Sequence, residues 1–312
     1  MTGAGSPPGD LRLTPEVWSA LRDGQPVVAL ESSVLAQGLP SPLNREAASR
    51  MLDAVRKHGA TPAIAAVVRG VPTLGLSAEE LERFLLRDNI AKVTARDLGV
   101  AVATGIDGAT TVAATLALMA RSDLHVFATG GIGGVHREPA FDESADLMEL
   151  ARTPAIVVCS GAKSILDLPA TVERLETLAI PVIGFQTREF PAFFVTTSGL
   201  PVTATADSVE EIVRIARAHR GLGRREALLV VQPPPQDAAL DARDVDRAIA
   251  EALKEARARG VRGPATTPFL LAAVERGTEG RSLRANLALL EANAELAARI
   301  AVAFHRARSE RA

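Results

Sequence analysis

Residues 126–150 read VFATGGIGGVHREPAFDESADLMEL, and the reading of this stretch decides the fold. A short apolar run breaks at four glycines, Gly130, Gly131, Gly133 and Gly134, and gives way to a helical pattern whose start is rich in acid. A strand that stops in a glycine turn and re-enters a helix is the unit from which parallel sheets are built. Apolar, β-branched runs of the same kind recur at 26–30 (PVVAL), 63–68 (AIAAVV), 125–129 (HVFAT), 155–160 (AIVVCS), 181–185 (PVIGF) and 227–231 (ALLVV). They do not alternate with polar residues, as befits strands covered on both faces. Helical patterns separate most of them: amphipathic ones at 44–58, 208–220 and 242–258, and an Ala-rich one at 109–120. The prediction is an α/β protein, a three-layer α/β/α arrangement with a central mixed, largely parallel β-sheet. Residues 1–312 read as one domain. The Gly/Pro-rich start, 1–12, is expected to be flexible, and VQPPPQ at 231–236 is too short a break to mark a boundary.

A last long helix is predicted over about 281–308. It carries a seam of Leu283, Leu287, Leu290, Ala294, Ala297, Ala301 and Phe304, at a spacing that fits a packed or an oligomeric face. Asn286 and Asn293 lie on a neighbouring face, and an inward Asn needs partners, so this helix is expected to border a polar pocket.

Composition excludes several classes. With 35 basic and 37 acidic residues, the net charge of −2 gives no electrostatic footprint for nucleic acid or an anionic membrane. There is no Tyr and only one Trp, which argues against base-stacking platforms. No signal peptide and no membrane span are read, and Cys159 stands alone as a buried core thiol. A reducing, cytoplasmic setting is the expectation.

The glycine turn does not match the standard phosphate motifs. G-x-G-x-x-G from Gly131 requires glycine at 136, where His136 stands, and SGAKS at 160–164 has only the ending of a P-loop. Asp142, Glu143 and Asp146 read either as helix-start acids, with Phe141 as an apolar staple, or as carboxylates for a hard cation, Asp142 and Asp146 sharing a face at i and i+4. His136 reads as a loop hydrogen-bonder or a ligand contact. Glu31 ends a strand, a position suited to acid–base work as well as to a plain surface acid. Lys163 follows a buried strand closely; it reads as a surface lysine or as a desolvated amine able to act as nucleophile. Lys92 is a phosphate partner or a surface charge. A helix starting near Thr110 offers Thr110, Thr111 and free N–H groups either to a phosphate or to ordinary capping.

Taken in chain order, these segments resemble the pseudouridine-5′-phosphate glycosidase family, also called indigoidine synthase A-like. The resemblance rests on VVALESSVLAQGLPSPLN (27–44), KVTARDL (92–98), GATTVAATL (108–116), VFATGGIGGVHR (126–137), FDESADLMEL (141–150), VVCSGAKSILDLP (157–169), GFQTREFPAFF (184–194), TPFLL (267–271) and SLRANLALLEANA (282–294). It implies reversible cleavage of the C–C bond between ribose C1′ and uracil C5 of pseudouridine 5′-phosphate, a lyase-type reaction giving uracil and ribose 5-phosphate through a covalent lysine–ribose adduct. It implies Lys163 as nucleophile, Glu31 as proton donor, and Asp142 as ligand to one Mn²⁺ or other divalent cation per subunit. Lys92, Val112 and the segment Ser144, Ala145, Asp146 match substrate contacts, and Asn286 a pocket asparagine. A homotrimer and a functional link to a separate pseudouridine kinase are further implications. Ser33, Gln37 and Gln232 depart from the usual Thr, His and Asn. Two rival readings stand beside this one: a Schiff-base phosphosugar lyase or aldolase using the same lysine, and a non-catalytic phosphometabolite-binding protein.

Overall fold

The computed structural model describes residues 10–138, 141–262 and 266–309. Eleven strands form one sheet: β1 (Arg12–Leu13), β2 (Val27–Glu31), β3 (Thr61–Val68), β4 (Val71–Leu74), β5 (Ala91–Val93), β6 (Gly108–Thr110), β7 (Val126–Ala128), β8 (Ile156–Cys159), β9 (Val182–Phe185), β10 (Ala204–Ala206) and β11 (Leu228–Val231). The main path runs β1-β4-β3-β2-β7-β8-β11-β9-β10, and β5 pairs with β6, which also joins β3. Every pairing is parallel except β3 with β4 and β3 with β6. The sheet is therefore mixed and mostly parallel, with helices on both sides, as the apolar runs predict.

The helices are α1 (Pro15–Arg22), α2 (Leu43–Lys57), α3 (Ala78–Leu86), α4 (Leu98–Thr104), α5 (Val112–Met119), α6 (Ala145–Leu150), α7 (Leu168–Thr177), α8 (Val209–Gly221), α9 (Ala242–Ala258), α10 (Thr266–Gly277) and α11 (Arg281–Ser309). Their starts follow side-chain capping: Ser77 and Glu80 form a reciprocal box at α3, and Thr111, Ser144, Asp167, Ser208 and Asp241 accept from the first turns of α5 to α9. The central strands β2, β7, β8 and β11 are buried throughout, because helices cover them above and below.

Helix α11 lies across β2, β7 and β8 and packs along α2 and α8. Its seam from Leu287 to Phe304 is buried against this core, so the spacing that fits either a packed or an oligomeric face is used for packing within the subunit. Two expectations need correcting here. Residues 1–9 lie outside the described residues, but Arg12, expected in a flexible start, pairs with Thr73 in the sheet and forms an ion pair with Glu80. The helix expected near Thr110 begins at Val112, because Gly108–Thr110 is drawn into the sheet beside β3 and β5.

Candidate active site

The parallel register builds the floor of the site. Leu30 is level with Ala128 and Ala128 with Val158, so Glu31 and Thr129 leave the carboxyl edge of the sheet side by side. This edge is where open α/β sheets form their crevices. Glu31 is buried, and both its carboxylate oxygens accept from hydroxyls: Thr129 Oγ1 donates to Oε1 and Ser33 Oγ to Oε2, each at 2.5 Å.

Lys163 is carried by the turn after β8. Gly161 there has φ of +79°, and a Cβ would meet the Pro191 carbonyl oxygen at 2.0 Å, so glycine alone allows the chain to pass. The turn is clipped to the glycine stretch after β7: Ile132 N donates to Gly161 O, and Lys163 N to Ile132 O. Glu31, Lys92, Lys163 and Asn286 thereby line one cavity. Its remaining walls come from the turn Val34–Gly38, from Phe193 and Phe194, and from α10 and the first turns of α11. Lys92 has its pKa held below the ordinary lysine range: burial disfavours the ammonium and the positive charge of Lys163 adds to this, while Asp146 and Glu31 oppose it. Cys159 is buried, and burial pushes its thiol up to about 12, in keeping with a core role.

The other candidate residues are not among those lining this cavity. Thr110 is fully buried; its hydroxyl donates to Ala65 O and receives from Thr115, so it is not available to a phosphate. Thr111 caps Ala114 N. Asp146 is buried, its Oδ1 accepting from Ala113 N at 2.9 Å and its Oδ2 from Gly133 N at 2.8 Å. Its carboxylate thus staples the glycine turn to the start of α5, and both oxygens are committed. Among the described residues the Val112 amide has no protein acceptor, since it opens the helix beside these two occupied neighbours. Ser144 caps α6 by accepting from Asp146 N, and Ala145 is the first residue of that helix.

The acidic turn differs from its sequence reading. Because α6 starts at Ala145, Asp142 precedes the helix and does not share a face with Asp146. Phe141 is no staple: it is 98% exposed at φ +67°. Asp142 instead stands beside His136, with Oδ1 3.4 Å from Nδ1, and that nitrogen is buried with no hydrogen-bond partner. The other ring nitrogen, Nε2, lies 3.3 Å from Thr267 Oγ1, and Thr267 is on the cavity wall. The described residues contain no cluster of three or more His, Cys, Asp or Glu fit for a metal. A hard cation that keeps most of its waters nevertheless fits an accessible carboxylate facing an unpaired imidazole nitrogen.

Sequence reasoning missed Thr129 and the hydroxyl role of Ser33. Thr129 lies inside the quoted segment VFATGGIGGVHR, but nothing there singles out its hydroxyl; its one cue is that it ends an apolar run. The glycines also divide their work. Gly130 and Gly131 line the cavity, whereas Gly133 admits Ser144, whose Oγ a Cβ would meet at 2.3 Å.

Comparison with known proteins sharpens the picture. A family described as "Indigoidine synthase A like protein" matches residues 16–303. A pseudouridine-5′-phosphate glycosidase of Gemmatimonas aurantiaca is 64% identical, covering 94% of this chain and 96% of the relative. One from Herpetosiphon aurantiacus is 50% identical, with 94% and 98% covered. Among solved structures, the prealnumycin C-glycosynthase AlnA in complex with ribulose 5-phosphate is 39% identical with a TM-score of 0.89, covering 96% of this chain and 98% of that one. An indigoidine synthase A-like protein from Thermotoga maritima is 37% identical, also with a TM-score of 0.89, covering 98% and 100%.

Proposed function

The chain belongs to the indigoidine synthase A-like family, and on that premise we propose that it reversibly cleaves the C1′–C5 bond of pseudouridine 5′-phosphate. One observation carries this reading: Glu31 and Lys163, an acid and an amine far apart in sequence, line the same cavity, with Lys92 beside them.

The chemistry requires both groups. Uracil C5 is a poor leaving group as a carbanion, so the bond needs an electron source at C1′ and a proton at C5. Lys163 Nζ, as the free amine, attacks C1′, and the C1′–O4′ bond opens with a proton passing to O4′. The nitrogen lone pair then forms the iminium as the C1′–C5 bond breaks, and Glu31 delivers a proton to C5. Water adds to the iminium carbon, and loss of the amine frees ribose 5-phosphate and restores Lys163. In reverse, uracil C5 attacks the iminium and Glu31 takes the proton back.

Lys92 and the Val112 amide offer donors to the phosphate, beside the Ser144–Asp146 segment. Asp142, with His136 Nδ1 facing it, would hold a divalent cation such as Mn²⁺. The cation would supply positive charge near the phosphosugar. The name of the ribulose 5-phosphate-bound C-glycosynthase relative supports a phosphopentose in this scaffold.

Incubating the purified protein with uracil, ribose 5-phosphate and Mn²⁺ should yield pseudouridine 5′-phosphate. Borohydride with ribose 5-phosphate alone should fix one pentose phosphate on Lys163. Label on another residue, or product formation by Lys163→Met, would overturn the adduct. Release of ribose 5-phosphate without C–C chemistry on any uracil compound would favour the lyase or aldolase reading.

A further inference from the structure

Gln37 sits in the single π-helical turn Val34–Gly38, six residues after Glu31 in the chain, and lines the same cavity. Its amide orientation is fixed by the protein: Nε2 donates to the Ile90 carbonyl at 3.1 Å. The other end, Oε1, is therefore an acceptor, and it is buried without a hydrogen-bond partner. On the α11 side of the cavity, Asn286 Oδ1 is likewise buried and unpartnered. A buried acceptor left unpaired costs about 1–3 kcal/mol, so two in one cavity call for a ligand that brings donors.

A phosphate dianion has none to offer, and its oxygens would repel both carbonyls. The half of the substrate facing them carries N–H or O–H groups. The lining that Gln37 and Asn286 share also includes Phe193, Pro268 and Leu271, apolar surface that suits the faces of a planar ring better than a hydroxylated sugar chain. Uracil joined through C5 keeps both of its ring N–H groups.

We propose that Gln37 is a specificity-determining residue that reads the nucleobase, its side-chain carbonyl accepting from a ring N–H of uracil while Asn286 Oδ1 accepts from another donor of the base. The inference rests on the glycosidase reading above. It assigns Gln37 to the base and leaves the sugar and phosphate to Lys163, Lys92 and the Val112 amide.

The test measures synthesis from uracil, 1-methyluracil and 3-methyluracil by the wild type and Gln37→Leu, alongside borohydride trapping of ribose 5-phosphate. Leucine keeps the bulk and removes the acceptor. The KM for uracil should rise about 10- to 100-fold, while the amount and ribose 5-phosphate dependence of the trapped adduct stay within about twofold. Methylating the nitrogen that Gln37 reads should harm the wild type strongly and Gln37→Leu little, since the variant has already lost that bond. An unchanged KM for uracil, or a penalty falling on ribose 5-phosphate instead, overturns the proposal. So does equal discrimination against both methyluracils in the two proteins. A wild type that neither traps the pentose nor joins it to uracil defeats the glycosidase reading itself, an outcome distinct from all of these.

Discussion

Among the described residues Glu31 is held by hydroxyls alone, and this matters for a group that must both give and take a proton. Thr129 and Ser33 each donate to one carboxylate oxygen. A hydroxyl can turn and accept when the carboxyl becomes protonated, whereas an Arg or a backbone N–H can only donate and would favour the carboxylate. Ser33, read from the resemblance as standing where a threonine is expected, keeps this property because it too carries a hydroxyl. Thr129→Val, nearly isosteric, should lower kcat about tenfold by letting the acid swing, with the KM for ribose 5-phosphate unchanged. Thr129→Ser should restore most of the rate. Steady-state kinetics on the pair check it: a loss that serine does not rescue would reduce Thr129 to a packing role. Of this arrangement the sequence reveals only half. Ser33 is two residues from Glu31 and can be seen beside it, but Thr129 is 98 residues away, and only the β2–β7 register brings it there.

Among the elements, α11 does more than cover the sheet. Asn293 is fully buried at its middle; Nδ2 donates to Thr129 O at 2.9 Å and to Gly130 O at 3.3 Å, and Oδ1 accepts from Gln232 Nε2 at 2.9 Å. The helix thus holds the ends of β7 and β11 at the edge where Glu31 emerges. This gives Gln232, read from the resemblance as standing where an Asn is expected, a purpose: its side chain meets Asn293. Asn293→Leu leaves the Thr129 carbonyl and the Gln232 amide without their partner, while Gly130 O keeps the Ser160 N–H, and should destabilise the fold by about 2–4 kcal/mol, read from the midpoint of urea unfolding. It should also slow turnover more than the loss of folded protein explains. A stable variant with normal activity would show that the Thr129 carbonyl and the Gln232 amide find other partners. The element scale is also where the sequence was most legible. The six apolar runs and the amphipathic helices can be read directly, β7 included although its strand has three residues, because it sits in the apolar run 125–129. Strands β1, β5, β6 and β10 have only two or three residues each and stand in no such run, so they exist through their pairing partners.

Across the whole molecule, the two edges of the sheet do different work. The carboxyl edge gathers Glu31, Thr129 and Lys163, while the amino edge, just before β7, carries His125 with Asp123, Arg220 and Arg308. Burial and then the positive charge of Arg220 lower the His125 pKa to about 4, with Arg308 adding to this and Asp123 opposing it. His125 Nε2 lies 2.6 Å from Arg308 Nη1, which can only donate, and 3.0 Å from Asp123 Oδ1, which can only accept. An unfolded histidine titrates near 6.5, so between about pH 6.5 and 4 the unfolded chain binds more protons than the native one. The contribution of His125 is therefore fully present above about pH 6.5, declines as the pH falls, and levels off below about 4. With the ring partly open to solvent, the loss should be on the order of 1–3 kcal/mol. Urea unfolding at pH 7.5, 6 and 5 should show it, and His125→Asn, uncharged throughout, should flatten that part of the curve. Because the cluster lies at the opposite edge from Lys163, the same substitution should leave adduct formation with ribose 5-phosphate unchanged at pH 7.5. An acid slope that persists undiminished in His125→Asn would move the cause to other groups.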